Sequence, residues 1–94
     1  MILSIHIADI VLTEFSEYIE AIQPDQLELT FSKDELNTAC SILILFDLIT
    51  NEGKGLDNFN KYKITEIGKI VSSNNGGLKK YLDEMNYRNL NTSS

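Results

Sequence analysis

The sequence predicts a small α+β domain in which three to four helices pack with a short antiparallel sheet. Several segments carry apolar residues at every third or fourth position, as on one face of a helix. A stretch rich in Gly and Asn separates two short strand-like segments, which is typical of a β-hairpin. The chain has 94 residues, 43% of them hydrophobic, so it is long enough for one core and one domain.

The first predicted helix covers residues 8–22. Pro24 should end it, because the residue before a proline is driven out of the helical conformation. Residues 1–7 fit two structures, since Leu3, Ile5 and Ile7 alternate with polar residues as in a strand but also suit the first turns of the helix. We favour the helix. Its apolar face consists of Ala8, Val11, Leu12, Phe15, Tyr18, Ile19 and Ile22.

A strand and a central helix are predicted next. Apolar and polar residues alternate over residues 27–31, which predicts a half-buried strand. Ser32 and Glu35 then form the sequence pattern of a capping box, which opens a helix that runs to about Phe46. The last turns of this helix are apolar nearly all round, so we expect it to be buried at the centre. Only one helix fits between Ser32 and Thr50.

The second half of the chain predicts a hairpin followed by two helices. Residues 48–50 and 61–64 are the strands, and Thr65 begins a short helix that ends at residues 74–77. Leu78, Tyr81, Leu82 and Met85 have the spacing of a last amphipathic helix. We expect residues 1–88 to form one domain and residues 89–94 to form a flexible tail.

Residues 43–71 resemble the second half of a winged-helix domain. They combine a helix end, a hydrophobic strand, a polar wing, a returning strand and an aromatic-x-Leu/Ile-Thr-x-x-Gly phrase, which runs here from Tyr62 to Gly68. In this phrase Thr65 would cap the next helix and Gly68 would let it lie close to its neighbour. The resemblance implies a winged-helix-like domain with a hairpin wing. A helix-turn-helix has two helices before the wing, so a single helix there makes this domain atypical.

Composition and the N-terminal segment indicate where the protein works. Cys40 is the only cysteine, so no intramolecular disulfide can form, which suits a reducing compartment. No Lys or Arg precedes the first apolar run, and Asp9 interrupts that run, so we expect no signal peptide. No apolar run approaches the roughly 18 residues of a membrane span. The cytoplasm is the expected location, and the high Asn and Ile content suggests a bacterial or phage source.

The sequence lacks the residue groups that catalysis or metal binding needs. His6 is the only histidine and has no suitably placed nucleophile, while Cys40 lies on the apolar face of the central helix. The acids of the first helix lie on its solvated side, and the glycines at 53 and 55 are too close together for a phosphate-binding loop. We therefore expect no enzyme activity, no cofactor, no metal and no small-molecule substrate.

Charge is unevenly distributed and defines two candidate surfaces. The net charge is −6, yet residues 1–32 contain six acids and no Lys or Arg, whereas residues 51–94 contain seven basic and five acidic residues. The candidate nucleic-acid contacts are Asn37, Ser41, Lys54, Lys61, Lys63 and Lys69. The candidate protein interface is formed by Glu14, Glu17, Glu20, Tyr81 and Met85.

These features favour a non-enzymatic regulatory or adaptor protein that acts by binding another protein. A homodimer is also predicted, through the apolar residues of the first and last helices. DNA is disfavoured as a partner by the net charge, because few cations are present to neutralise phosphates. The alternative is a DNA-binding transcriptional regulator that uses the wing lysines, and a weaker alternative is an acidic phage-type inhibitor of a nucleic-acid-binding protein. No membrane partner is expected.

Overall fold

The computed structural model describes the backbone of residues 2–55, 59–74 and 76–92, and the side chains of residues 5–55, 59–74 and 76–85. Within these residues the chain forms a small α+β domain with four α-helices and one two-stranded antiparallel sheet, which confirms the predicted fold class and is consistent with a winged-helix-like arrangement. The elements in chain order are α1 (Ile2–Phe15), a short 3₁₀ turn (Pro24–Gln26), α2 (Lys33–Leu45), β1 (Ile49–Lys54), β2 (Asn60–Ile64), α3 (Glu66–Ser73) and α4 (Gly77–Thr92).

Helix α1 includes the first residues, as favoured above, but ends earlier than predicted. It starts at Ile2, so the helical alternative for the first residues is confirmed. Its end at Phe15 shows that the predicted continuation to residue 22 is wrong. The hydroxyl of Ser16 donates a hydrogen bond to the carbonyl of Thr13, and such local bonds compete with the helical pattern. Ile22 is instead held in an extended conformation by pairing with Tyr62.

The strand predicted over residues 27–31 is also wrong. These residues have no regular structure and follow the 3₁₀ turn, which lies just before them. The β-bridge of this part of the chain is formed instead by Ile22, which exchanges two backbone N–H···O hydrogen bonds of 2.9 Å with Tyr62. Leu27 is buried, and Leu29 and Phe31 are partly buried. The alternating apolar pattern therefore marks residues that pack against the core, although they do not pair as a strand.

Helix α2 has well-defined ends. At its start the Glu35 amide donates to Ser32 Oγ at 3.2 Å and the Ser32 amide donates to Glu35 Oε1 at 2.9 Å, which confirms the capping box. At its end Asp47 has a φ of 59°, the left-handed conformation of a Schellman motif. The Leu48 amide donates to the Leu43 carbonyl at 2.9 Å, which completes that motif. Within residues 32–50 α2 is the only helix, as predicted.

Helix α3 is joined to the end of α2 by a close backbone contact. Thr65 Oγ1 donates to the Asp47 carbonyl at 2.7 Å and accepts from the Gly68 amide at 3.0 Å, so Thr65 caps α3 as predicted. A Cβ atom on Gly68 would lie 2.1 Å from the Leu48 carbonyl oxygen. Glycine is therefore required at this position because the helix backbone lies directly against the β1 strand entry.

The core lies between α1, α2, the inner face of the hairpin and the first turn of α4. Asp9 Oδ1 on α1 accepts a hydrogen bond of 3.0 Å from the Leu78 amide, so a side chain of the first helix caps the last one. Helix α4 continues to Thr92, beyond the predicted domain boundary at residue 88. Residues 93 and 94 of the predicted tail lie outside the described residues. The fully buried core members include Ala8, Val11, Leu12, Leu43, Leu48 and Leu78.

Replacing Gly68 by Ala tests the α3 contact. In most helices this change stabilises by up to about 1 kcal/mol, but here the new methyl group overlaps the Leu48 carbonyl. We expect the free energy of unfolding to fall by about 2–3 kcal/mol, measured by urea denaturation followed by circular dichroism. Ser73→Ala, at an exposed position of the same helix, is the control and should change stability by less than about 0.5 kcal/mol. Unchanged or increased stability of the Gly68 variant would contradict the contact.

Candidate interaction surfaces

The exposed side of α2 is the surface that a helix-turn-helix protein would present to a partner. Its N-terminal part is polar, and Ser41 Oγ donates to the Asn37 carbonyl at 3.0 Å. Its C-terminal end is apolar, because the side chain of Leu45 is 75% exposed. The α2 outward face, as we call it below, consists of Asp34, Asn37, Thr38, Ser41 and Leu45.

The hairpin separates the predicted wing lysines between its two faces. Tyr62 and Ile64 point toward the core, so Lys61 and Lys63, at the alternate positions of β2, point outward. Lys54 pairs with Asn60 in the sheet register, and Asn60 shares the Tyr62 side, so Lys54 lies on the other face from Lys61 and Lys63.

An acidic residue further reduces the positive charge of the outer hairpin face. Thr50 pairs with Lys63 across the sheet, and Thr50 Oγ1 donates to Glu52 Oε2 at 2.9 Å. This hydrogen bond places the Glu52 carboxylate on the same face as Lys63. The stem of Lys61 lies over Gly55, where a Cβ atom would be 2.9 Å from Lys61 Cγ.

Lys69 lies apart from the hairpin, on α3. Its ammonium group is 3.5 Å from Glu66 Oε1, so its charge is partly neutralised by a neighbour on the same helix. The six predicted nucleic-acid contacts are thus divided among α2, two faces of the hairpin and α3. Asn37 and Ser41 share the α2 outward face, and of the four lysines only Lys61 and Lys63 lie on one face.

A contact that the sequence did not predict joins α2 to the hairpin. The ammonium group of Lys33 lies 4.6 Å from the centroid of the Phe59 ring, within the range of a cation–π interaction. Lys33 is the first residue of α2 and Phe59 immediately precedes β2. Twenty-six positions separate the two residues, and no local pattern signals such a pairing. The contact engages the one basic side chain of α2.

The acids of the predicted protein interface do not form a continuous stripe on the first helix. Glu14 lies in the last turn of α1, whereas Glu17 and Glu20 lie beyond its end, so the three residues do not share a helix face. Asp9 accepts a hydrogen bond from the Leu78 amide and is therefore a structural cap. Ile19, between Glu17 and Glu20, is 87% exposed.

The apolar stripe of α4 packs within the chain. Leu78 is fully buried, and Tyr81 and Leu82 pack against the core formed by the same chain. Met85 is partly buried. Within the described part of α1, Val11 and Leu12 are buried as well. These apolar side chains of the two helices thus pack within one copy.

Helix α3 exposes two isoleucines that were not singled out as site residues. Ile67 is 46% exposed and Ile70 is 59% exposed, and they lie three positions apart on one side of the helix. No sequence signal indicated this exposure, because Ile67, Ile70 and Val71 have the i, i+3, i+4 spacing of one apolar helix face. We call these two residues the α3 isoleucine row.

The residues that could support chemistry are dispersed or buried. His6 is exposed, and Cys40 is only 2% exposed. Burial raises the pKa of the Cys40 thiol to about 12. No group of three or more His, Cys, Asp or Glu side chains that could hold a metal ion occurs in the described part of the chain. Among the described helices, none is both long and apolar enough to cross a lipid bilayer.

No protein-family model matches this sequence, and no curated protein and no solved structure gives a significant match.

The buried Cys40 thiol should react only when the protein unfolds. Its pKa of about 12, against an ordinary 9.0, lowers the thiolate fraction at pH 8 by about a thousandfold. We expect alkylation by iodoacetamide at pH 8 to be at least about 100-fold slower in the native protein than in guanidinium chloride. The pKa of Cys40 is higher in the folded protein than in the unfolded chain. The free energy of unfolding should therefore fall as the pH rises above 9.

Mass spectrometry of samples quenched over time measures this reaction, and Cys40→Ser provides the unlabelled control. Rapid, complete labelling of the native protein would show that Cys40 is accessible and would contradict its assignment to the core.

Proposed function

We propose that the protein is a non-enzymatic regulatory or adaptor module on a winged-helix-like scaffold, and that it binds another protein through the α2 outward face. The observation that carries this proposal is the chemistry of that face, which combines uncharged polar residues with one acid and ends in the exposed Leu45. Protein interfaces commonly have an apolar centre surrounded by a polar rim, and Leu45 with its polar neighbours can supply both.

The charges of this face favour a protein partner over DNA. DNA recognition requires cations for the phosphates and donors or acceptors for the base edges. Asn37 and Ser41 are suited to base edges, but Asp34 on the same face would repel phosphates. Lys33, the basic residue of α2, contacts the Phe59 ring. In a DNA groove the Leu45 side chain would find little apolar surface to pack against. In a protein interface it can act as an apolar anchor.

A DNA-binding regulator is the second candidate function, and Lys61 and Lys63 favour it. These two lysines share the outer face of the hairpin, where a wing could contact a phosphate backbone. Against it, Glu52 lies on the same face and the whole chain has a net charge of −6. The acidic-inhibitor alternative has less support, because Glu14, Glu17 and Glu20 do not form a continuous helical stripe.

Substitution of Leu45 tests the proposed surface. Immobilised wild-type protein should retain a partner protein from the native cell extract in a stoichiometric amount, and Leu45→Asp should reduce the affinity of the purified partner at least about tenfold, because it places a charge at the apolar anchor. Ile19→Asp is the matched control, since Ile19 is even more exposed but lies outside the α2 outward face. Isothermal titration calorimetry gives both affinities. Equal losses in the two variants, or none in either, would contradict the assignment.

The DNA alternative is tested with fluorescently labelled random-sequence duplex at about 50 and 200 mM salt, the range over which phosphate-dependent affinity changes strongly. We expect no salt-dependent change in anisotropy for wild-type protein. Salt-sensitive binding that is lost in a Lys61→Glu, Lys63→Glu double variant would replace the protein-binding proposal with the DNA-binding one.

A further inference from the structure

We propose that the contact between Lys33 and Phe59 is a reversible strap, which joins the hairpin to the start of α2 and keeps the Lys33 charge away from the α2 outward face. With the strap closed, the ammonium group of Lys33 lies 4.6 Å from the centroid of the Phe59 ring. With the strap open, the ammonium group returns to solvent beside that face. The effect on the face rests on the proposed function, whereas the strap itself does not.

The strap acts at the end of the hairpin that is far from the core. At the near end Ile49 pairs with Ile64, and both side chains are buried. At the far end Lys54 pairs with Asn60, after a shift in register that begins at Asn51. A shift of this kind interrupts the regular ladder of hydrogen bonds. Contacts from outside the two strands therefore matter most at the far end.

Phe59 is placed to transmit such a contact to both strands. Its carbonyl accepts a hydrogen bond of 2.7 Å from the Gly55 amide, which closes the hairpin just beyond the last strand pair. Its ring meets Lys33 of α2. The Gly55 backbone also lies close to Gln23, since a Cβ atom on Gly55 would be 2.5 Å from Gln23 Oε1. The far end of the hairpin is thus in contact with α2 and with the segment that precedes it.

The surroundings of Lys33 favour the ring as its partner. Lys33 is the first residue of α2, where the helix dipole disfavours a positive charge. The nearby carboxylate of Glu35 already accepts a hydrogen bond from the Ser32 amide. The face of an aromatic ring carries partial negative charge and attracts an ammonium group. Such contacts are weak at exposed sites, so the strap can open and close.

The state of the strap changes the charge at the start of the α2 outward face. Lys33 precedes Asn37 by four positions, so it borders the face on the Asn37 side. Asp34 is the charged residue of the face, which is therefore anionic while Lys33 is held by the ring. An open strap adds a positive charge at the border and offsets Asp34. The position of the hairpin thus sets the charge that a partner meets on α2.

Removal of either member of the pair tests the strap, with hydrogen exchange of the Gly55 amide as the readout. Phe59→Leu removes the ring but keeps an apolar side chain, and Lys33→Met removes the charge but keeps a long side chain. We expect each change to raise the exchange rate about two- to fivefold, the range that an exposed cation–π contact provides. The double variant should exchange no faster than the single variants, because all three lack the same contact.

A second readout reports the contact directly. In the wild-type NMR spectrum the Lys33 protons next to the ammonium group should be shifted upfield by the ring, and Phe59→Leu should remove this shift. Lys33→Arg should keep slow exchange of the Gly55 amide, because a guanidinium group also stacks on aromatic rings. Lys63→Met is the matched control, since it removes the same charge from the outer hairpin face. Leu45→Asp should change neither readout, which separates the strap from the α2 partner site.

Three results would overturn the strap. One is an unshifted Lys33 signal together with unchanged Gly55 exchange in both single variants. Another is additive acceleration in the double variant, since Lys33 and Phe59 would then act independently. The third is acceleration by Lys63→Met as large as that by Lys33→Met, which would indicate a general effect of charge.

Discussion

The backbone contact between the end of α2 and the start of α3 is the constraint on which the other surfaces depend. The carbonyls of Asp47 and Leu48 accept hydrogen bonds from the Thr65 hydroxyl and amide at 2.7 and 3.0 Å. Gly68 then brings α3 against the Leu48 carbonyl. Because β1 begins one residue later, at Ile49, these contacts fix the orientation of α2, the hairpin and α3 relative to one another. The left-handed backbone conformation of Asp47 ends α2 and lets the chain turn into β1.

The three surfaces that extend from this junction differ in chemistry. The α2 outward face is polar with an apolar end, the outer hairpin face has two lysines and a glutamate, and α3 has two isoleucines beside a balanced charge pair. The basic residues of the second half are thus distributed over several elements. Among the described residues, these side chains therefore do not line up as a single continuous track for a phosphate backbone.

Local patterns in the sequence were sufficient to predict much of this fold. The Ser32 and Glu35 capping box, the Thr65 cap and the hairpin each depend on residues close together in the chain, and each is present. The wrong predictions depend on distant partners. Pairing with Tyr62 holds Ile22 in an extended conformation, although its apolar spacing continued the helix.

The candidate surfaces were less predictable than the fold, for the same reason. The separation of Lys54 from Lys61 and Lys63 follows from the sheet register, which shifts between Asn51 and Lys54 and is not encoded in residue spacing. The Lys33–Phe59 contact joins residues on two different elements. Exposure of Ile67 and Ile70 depends on which side of α3 meets the core, and the apolar pattern alone allowed either side.

The hydrogen bond from the Leu78 amide to Asp9 has a consequence for how the chain folds. It closes a loop of 69 residues, so its formation carries a large entropic penalty until the intervening elements are in place. The hairpin and the α2 cap, whose partners are near in sequence, can form early. The N-terminus of α4 acquires its carboxylate partner only afterwards, and during synthesis Asp9 cannot meet the Leu78 amide until α4 has emerged. The docking of α4 onto α1 should therefore be a late step of folding.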